Sequence, residues 1–169
     1  TKLKPGREAQ IIRALIERHN GKFPMLDLIS IWREILSASV KLQGTFNLAV
    51  YKPETGSDEN WGYIASARGH FGSHTPITTY PSQRRVVEAV LENECSIGIL
   101  PIPIRNENNP WWRHLAVQGN TVKNGRASKP ARIIAKLPFA APTIECGLIR
   151  TGSTECVVIA KSDADESGL

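Results

Sequence analysis

The hydrophobic period of the chain changes at Gly44, and no other feature restricts the fold so strongly. Before that glycine, apolar side chains recur at steps of three and four; after it, short apolar runs of strand length alternate with helical segments. Pro5-Gly6 leads into residues 7–19, where Ile11, Ile12, Leu15 and Ile16 recur at helical spacing and Asn20-Gly21 supplies the stop. Pro24 opens a second helical run over 25–43, with Leu28, Ile31, Trp32, Ile35, Leu36 and Leu42 on one broad face and Gly44 as terminator. Residues 1–44 are therefore expected to form an antiparallel helical hairpin and a domain of their own. The opening Thr1-Lys2-Leu3-Lys4 resembles a linker into that hairpin, so a further segment is expected before it.

Residues 46–51 have the period of a strand and end at Pro53. A short helix is expected over 61–71, a short strand over 77–80, and a helix from the N-cap Ser82 to Asn93 through Val86, Val87, Val90 and Leu91. The almost wholly apolar run 95–101 then has the composition of a buried central strand. This order predicts an α/β lobe over 45–162. Within it, Trp111 to Leu115 form one or two helical turns, 118–130 an exposed loop, and 131–137, 144–149 and 155–161 three strands; 163–169 is a solvated acidic tail.

With 169 residues, 41% of them hydrophobic, the chain can build a core without disulfides or a metal, which excludes collagen-like, disordered and disulfide-scaffold classes. No apolar run has bilayer length and no secretory signal is visible, so a soluble cytoplasmic protein with no membrane partner is expected. Cys95, Cys146 and Cys156 are odd in number, lack C-x-x-C spacing and are expected to be buried free thiols. The net charge of +5 suits an anionic partner. Because the basic residues are scattered and no nucleic-acid motif accompanies them, an anionic metabolite is expected rather than nucleic acid.

Two sets of polar residues interrupt the helical pattern. The stripe Leu28, Trp32, Ile35 continues to Ser39 and Gln43, which places a hydroxyl and an amide on a face expected to be buried, unless the end of the helix leaves the core. Arg7 and Glu8 precede Ile11 and Ile12 on the first helix; they are either a solvated first turn or a carboxylate-binding fork beside an acceptor. Elsewhere, 69–75 is either an anion-cupping loop or a plain connection, and Trp111-Trp112 either stacks a ligand or plugs the sheet. Lys123, Arg126 and Lys129 are either a phosphate-friendly patch or a solvated loop, and His70 and His74 lack a third ligand, so no metal is expected.

Pro5-Gly6-Arg7-Glu8 opening one helix and Ser39-Val40-Lys41-Leu42-Gln43 ending the next resemble the second and third helices of the all-helical class of chorismate mutase. The resemblance covers residues 5–44 and implies an intertwined helical homodimer that converts chorismate to prephenate. It implies that Arg7 closes on a substrate carboxylate, Glu8 accepts the substrate hydroxyl, Ser39 is a polar substrate contact and Gln43 donates to the ether oxygen. Such a pericyclic rearrangement requires orientation of a dianion and stabilisation of charge on the breaking ether, so no cofactor is implied. The family's long first helix, with two arginines and a lysine, has no counterpart among these residues, and the site would be completed by an upstream helix.

Residues 86–102 look like the helix, turn and buried strand of prephenate dehydratase, whose strand runs into a Pro-Ile-Glu-Asn loop. Here Pro103-Ile104 replace Glu-Asn, and no Thr-Arg-Phe motif is present. The second part therefore resembles one lobe of a periplasmic-binding-protein-like dehydratase domain that has lost its chemistry. The expected function is chorismate mutase in phenylalanine and tyrosine biosynthesis. The alternatives, in order, are a non-catalytic module binding an aromatic-pathway metabolite and a dehydratase.

Overall fold

A computed structural model describes residues 3–54, 59–105, 107, 110–118, 122–123, 126–127, 129–138 and 154–161. The expected strand at 144–149, Cys146 and the acidic tail lie outside the described residues. In chain order the elements are α1 (Pro5–Arg18), α2 (Met25–Leu42), β1 (Leu48–Tyr51), α3 (Glu59–Phe71), β2 (Ile77–Tyr80), α4 (Gln83–Leu91) and β3 (Ile97–Pro101). They continue as α5 (Arg113–Gln118), β4 (Val122–Lys123), β5 (Arg126–Ala127), β6 (Arg132–Leu137) and β7 (Cys156–Ala160). The fold is mixed α/β. None of the described helices is long and apolar enough to cross a membrane.

The main sheet has the order β2-β1-β3-β7-β6, with β2, β1 and β3 parallel, β7 antiparallel to β3, and β6 antiparallel to β7. Because β2 and β3 flank β1 on opposite sides, right-handed crossovers place α3 on one face and α4 on the other. The pleat divides the core accordingly. Leu48, Val50, Ile97 and Ile99 join Ala67 and Phe71 of α3, whereas Ala49 and Leu100 join Val86, Val87 and Val90 of α4. Gly98 is needed on the α4 face, since a Cβ there would lie 2.7 Å from Ile159 Cγ1 and 2.9 Å from Val86 Cγ1. Trp111, 1% exposed, closes the α4 side and stands edge-on to Trp112, so it plugs the sheet; its Nε1 has no partner among the described residues.

The hairpin lies on the α3 side, where Leu3 and Val40, with Phe46 of the following link, join the lobe's core. Its contact with the lobe is close because small groups line it. Ser37 Oγ donates to the Phe71 carbonyl and lies 3.3 Å from Thr75 Oγ1; Glu34 Oε1 accepts the Ser73 N–H at 2.8 Å. Gly72, at φ +88°, sits where a Cβ would come within 2.5 Å of Ser37 Oγ. Of the 69–75 segment, the Ser73 N–H is thus taken by the chain's own Glu34.

Two expectations are corrected here. The inward face of α2 carries Ile29, Ser37 and Val40, while Ile31, Ile35 and Leu42 are 49%, 47% and 89% exposed. The stripe ending in Ser39 and Gln43 is accordingly not the core face. Six apolar positions cover so much of this helix that periodicity leaves its orientation open, and close approach to α3 favours the small residues. Second, the 118–130 loop contains a short antiparallel ladder pairing Val122 with Ala127 and Lys123 with Arg126.

Candidate functional site

Three helices each bring one ionisable side chain to a common point. Glu8 lies in the first turns of α1, one helical turn before the buried Ile12; Arg33 lies on the inward stripe of α2 between Ile29 and Ser37; His70 lies in the last turn of α3. Leu3, Ile12, Leu36, Val40, Phe46 and Phe71 wall them in around a cavity large enough for about one water molecule. The His70 ring stands edge-on to Phe71 with centroids 4.6 Å apart.

Arg33 Nη1 is 2.5 Å from His70 Nδ1, and His70 Nε2 is 3.8 Å from Glu8 Oε2. Arginine only donates, so Nδ1 must accept and the single ring proton sits on Nε2, facing the carboxylate. The His70 and Glu8 side chains are only 7% and 17% exposed. Burial pushes the Glu8 carboxyl up to about 7, partly opposed by the Arg33 charge. Burial, reinforced by Arg33, pushes His70 down to about 3. The Glu8–His70 contact is therefore one with a neutral imidazole rather than an ion pair, as the Arg33 hydrogen bond independently requires.

Of the four residues singled out from the sequence, Glu8 alone enters this cluster. Arg7, Ser39 and Gln43 are exposed. The Ser39 hydroxyl donates to the Ile35 carbonyl at 2.9 Å, and the Gln43 backbone N–H closes the last turn on Val40 at 3.1 Å. All four nonetheless occupy one end of the hairpin, because antiparallel packing sets the start of α1 beside the end of α2; Glu8 and Val40 line the same cavity. Arg33 is not among the sequence candidates, and the side chain of His70 enters there only as a metal ligand beside His74. A charged residue inside the apolar run Ile31-Trp32-Arg33-Glu34-Ile35 was the available signal for the first. Nothing local marks His70 as a partner for α1.

Other candidates are less developed. A cleft of about 370 Å³ opens beside the starts of β1 and β3, lined in part by Phe46, Cys95, Ser96 and Lys161. Lys161 Nζ donates to the Leu91 carbonyl at 2.6 Å and to Asn93 Oδ1 at 3.1 Å. Asn47 similarly joins the two strand entries, donating to the Glu94 carbonyl at 2.8 Å and accepting the Ser96 N–H at 3.0 Å. At the opposite sheet edge, Pro103 and Ile104 follow β3 with no acidic or amide side chain at those two positions, and Ile104 is 66% exposed. Lys129 is exposed, and the side chains of Lys123 and Arg126 lie outside those described. Cys95 and Cys156 are buried free thiols, both pushed up by burial, Cys156 to about 12. No protein-family model matches the chain, and no match was found among curated proteins or solved structures.

Proposed function

We propose that the hairpin is half of a chorismate mutase bundle, rearranging chorismate to prephenate in aromatic amino-acid biosynthesis. The observation that carries this is the uncovered face of α2. Exposed Ile31, Ile35 and Leu42 share the outward side of the helix with Ser39 and Gln43, as expected of a helical bundle whose remaining helices come from elsewhere. Covering that face would bury the apolar positions and enclose Ser39 and Gln43 together. In this reading Arg7 binds a substrate carboxylate, Glu8 accepts the substrate hydroxyl, Ser39 contacts the substrate and Gln43 donates to the breaking ether oxygen. The reaction is accelerated by orientation and by hydrogen bonding to developing charge, which Arg and amide groups supply without a nucleophile. An upstream helix of a longer chain and a second copy complete the bundle. A cytoplasmic location accompanies this reading, supported by the free thiols Cys95 and Cys156.

The test is chorismate consumption with product identification, on this chain and on the natural full-length protein. Prephenate from the full-length protein, with turnover reduced about 100-fold or more by Gln43→Ala, is the expected result. Absence of prephenate from both forms rejects the proposal.

A second reading, a non-catalytic metabolite-binding module, draws on the sheet order. Successive strands are added on opposite sides of β1, so the strand order switches between the parallel β1 and β3, where α/β sheets commonly hold ligands, and Pro103-Ile104 after β3 carry no acidic or amide side chain. Calorimetry with prephenate, phenylalanine and tyrosine tests it; heat with any of them, with no turnover, favours it over the mutase.

A further inference from the structure

We infer that His70 and Arg33 are positioning residues for the Glu8 carboxylate, so that the α/β lobe, through α3, orients the acceptor of the helical site. The inference rests on the mutase reading for its chemistry, but its geometry stands independently of that reading. Glu8 comes from α1, Arg33 from α2 and His70 from α3, so the cluster exists only when the hairpin is docked on the lobe. Arg33 holds Nδ1 of the imidazole at 2.5 Å, which leaves the Nε2–H directed at Glu8 Oε2, 3.8 Å away. That distance is longer than a hydrogen bond and can close when a substrate fills the site, as catalytic hydrogen bonds commonly do.

Among the described residues, Arg33 and His70 face Glu8. Arg33 approaches from α2 and His70 from α3; Glu34, the neighbour of Arg33, is turned to the Ser73 amide instead. The apolar wall of Leu3, Ile12, Leu36, Val40 and Phe46 keeps bulk water from competing for the carboxylate. A carboxylate raised by burial and partly held down by the Arg33 charge ionises in the neutral range, here near 7. A hydroxyl-accepting role then requires pH above that midpoint, and loss of either partner raises it further, because the ionised form loses its stabilising donor or charge.

The experiment uses the natural full-length protein and follows two quantities against pH: chorismate turnover, and the carboxyl signal of Glu8 by carbon NMR. Turnover rising with pH along the Glu8 titration, near 7, is expected. His70→Leu and Arg33→Met are each expected to move both curves to higher pH and to lower kcat about 10-fold or more with a smaller change in KM. His70→Gln, which keeps an N–H donor, is expected to restore most of the loss. Nitrogen NMR of the unmodified protein supplies a readout that needs no variant to fold: His70 is expected neutral, with its proton on Nε2, from pH 5 to 8 (about two units below and one above the Glu8 midpoint). A protonated His70 in that range, the other tautomer, or a Glu8 midpoint unmoved in His70→Leu and Arg33→Met overturns the inference even if chorismate is converted. If no form converts chorismate, the mutase reading fails, and the Glu8 midpoint in the variants alone decides the positioning role.

Discussion

The lobe and the hairpin bury opposite kinds of surface. In the sheet, Leu48, Val50, Ile99, Leu100, Val158 and Ile159 are completely excluded from water. In the hairpin, a carboxylate, a guanidinium and an imidazole are drawn into the junction while Ile31, Ile35 and Leu42 remain exposed. The described part of the lobe therefore has a dry apolar core, although Ile104 and Ile133 stay exposed. The hairpin has completed a polar cluster on one side and left an apolar face open on the other. Excluding water from an apolar side chain is favourable wherever it is achieved, so the exposed face of α2 is the part of the hairpin on which the proposed function depends.

That contrast can be broken most directly by truncating one residue from each side. Leu48→Ala, at a position with no exposure, is expected to cost about 2–5 kcal/mol and to lower Tm strongly in a thermal melt. Ile35→Ala, 47% exposed, is expected to stay within about 0.5 kcal/mol for the isolated chain. A comparable loss for both, together with a concentration-dependent Tm, means that a second copy covers α2 in solution.

The polar cluster yields a pH signature that separates it from the lobe. Glu8 is raised from 4.5 to about 7, so its contribution is fully present below pH 4.5 and is lost as pH rises through 7, a difference of about 3 kcal/mol. His70 is lowered from 6.5 to about 3, so its contribution is present above pH 6.5 and is lost as pH falls towards 3. Between pH 4.5 and 6.5 the folded chain holds the Glu8 proton while the unfolded chain holds the His70 proton, and the two slopes cancel. Urea melts across pH are expected to reveal each limb alone: Glu8→Gln stabler at neutral pH than at pH 4.5, His70→Gln the reverse. Identical profiles for both variants and the parent would remove the cluster as a proton-linked unit.

Smaller effects test the joint and the open face. Gly72→Ala, which forces a side chain onto φ +88° and against Ser37 Oγ, is expected to cost about 1–3 kcal/mol, measured by chemical denaturation. Ser39→Ala removes only a hydroxyl bonded to its own helix, so stability is expected to change by less than about 0.5 kcal/mol. A fall in chorismate turnover without a stability change in that variant places Ser39 against the substrate.

How far the sequence can be followed differs between the same two regions. The strand at 77–80 has the bounds expected, and the apolar run at 95–101 became β3 (Ile97–Pro101), because a continuous apolar segment between turn residues has few alternatives to a buried strand. In the hairpin the lengths were legible and the orientation was not: α1 and α2 end within two residues of their expected limits, yet α2 presents Ser37 and Val40 to the lobe rather than Ser39 and Gln43. Glu8 was picked out by its position, but its burial could not be, since a charged residue in a first helical turn is usually solvated.

By itself the sequence determined the two hairpin helices and the alternation of strands and helices in the second part, though not the β4–β5 ladder, because helical and strand periods and their glycine and proline stops are local properties of the chain. Only the tertiary structure decided which side of α2 is inside and that Arg33 meets His70 across 37 positions of sequence. Those outcomes depend on how closely two helices can approach, which Ser37 and Gly72 determine jointly and neither encodes alone.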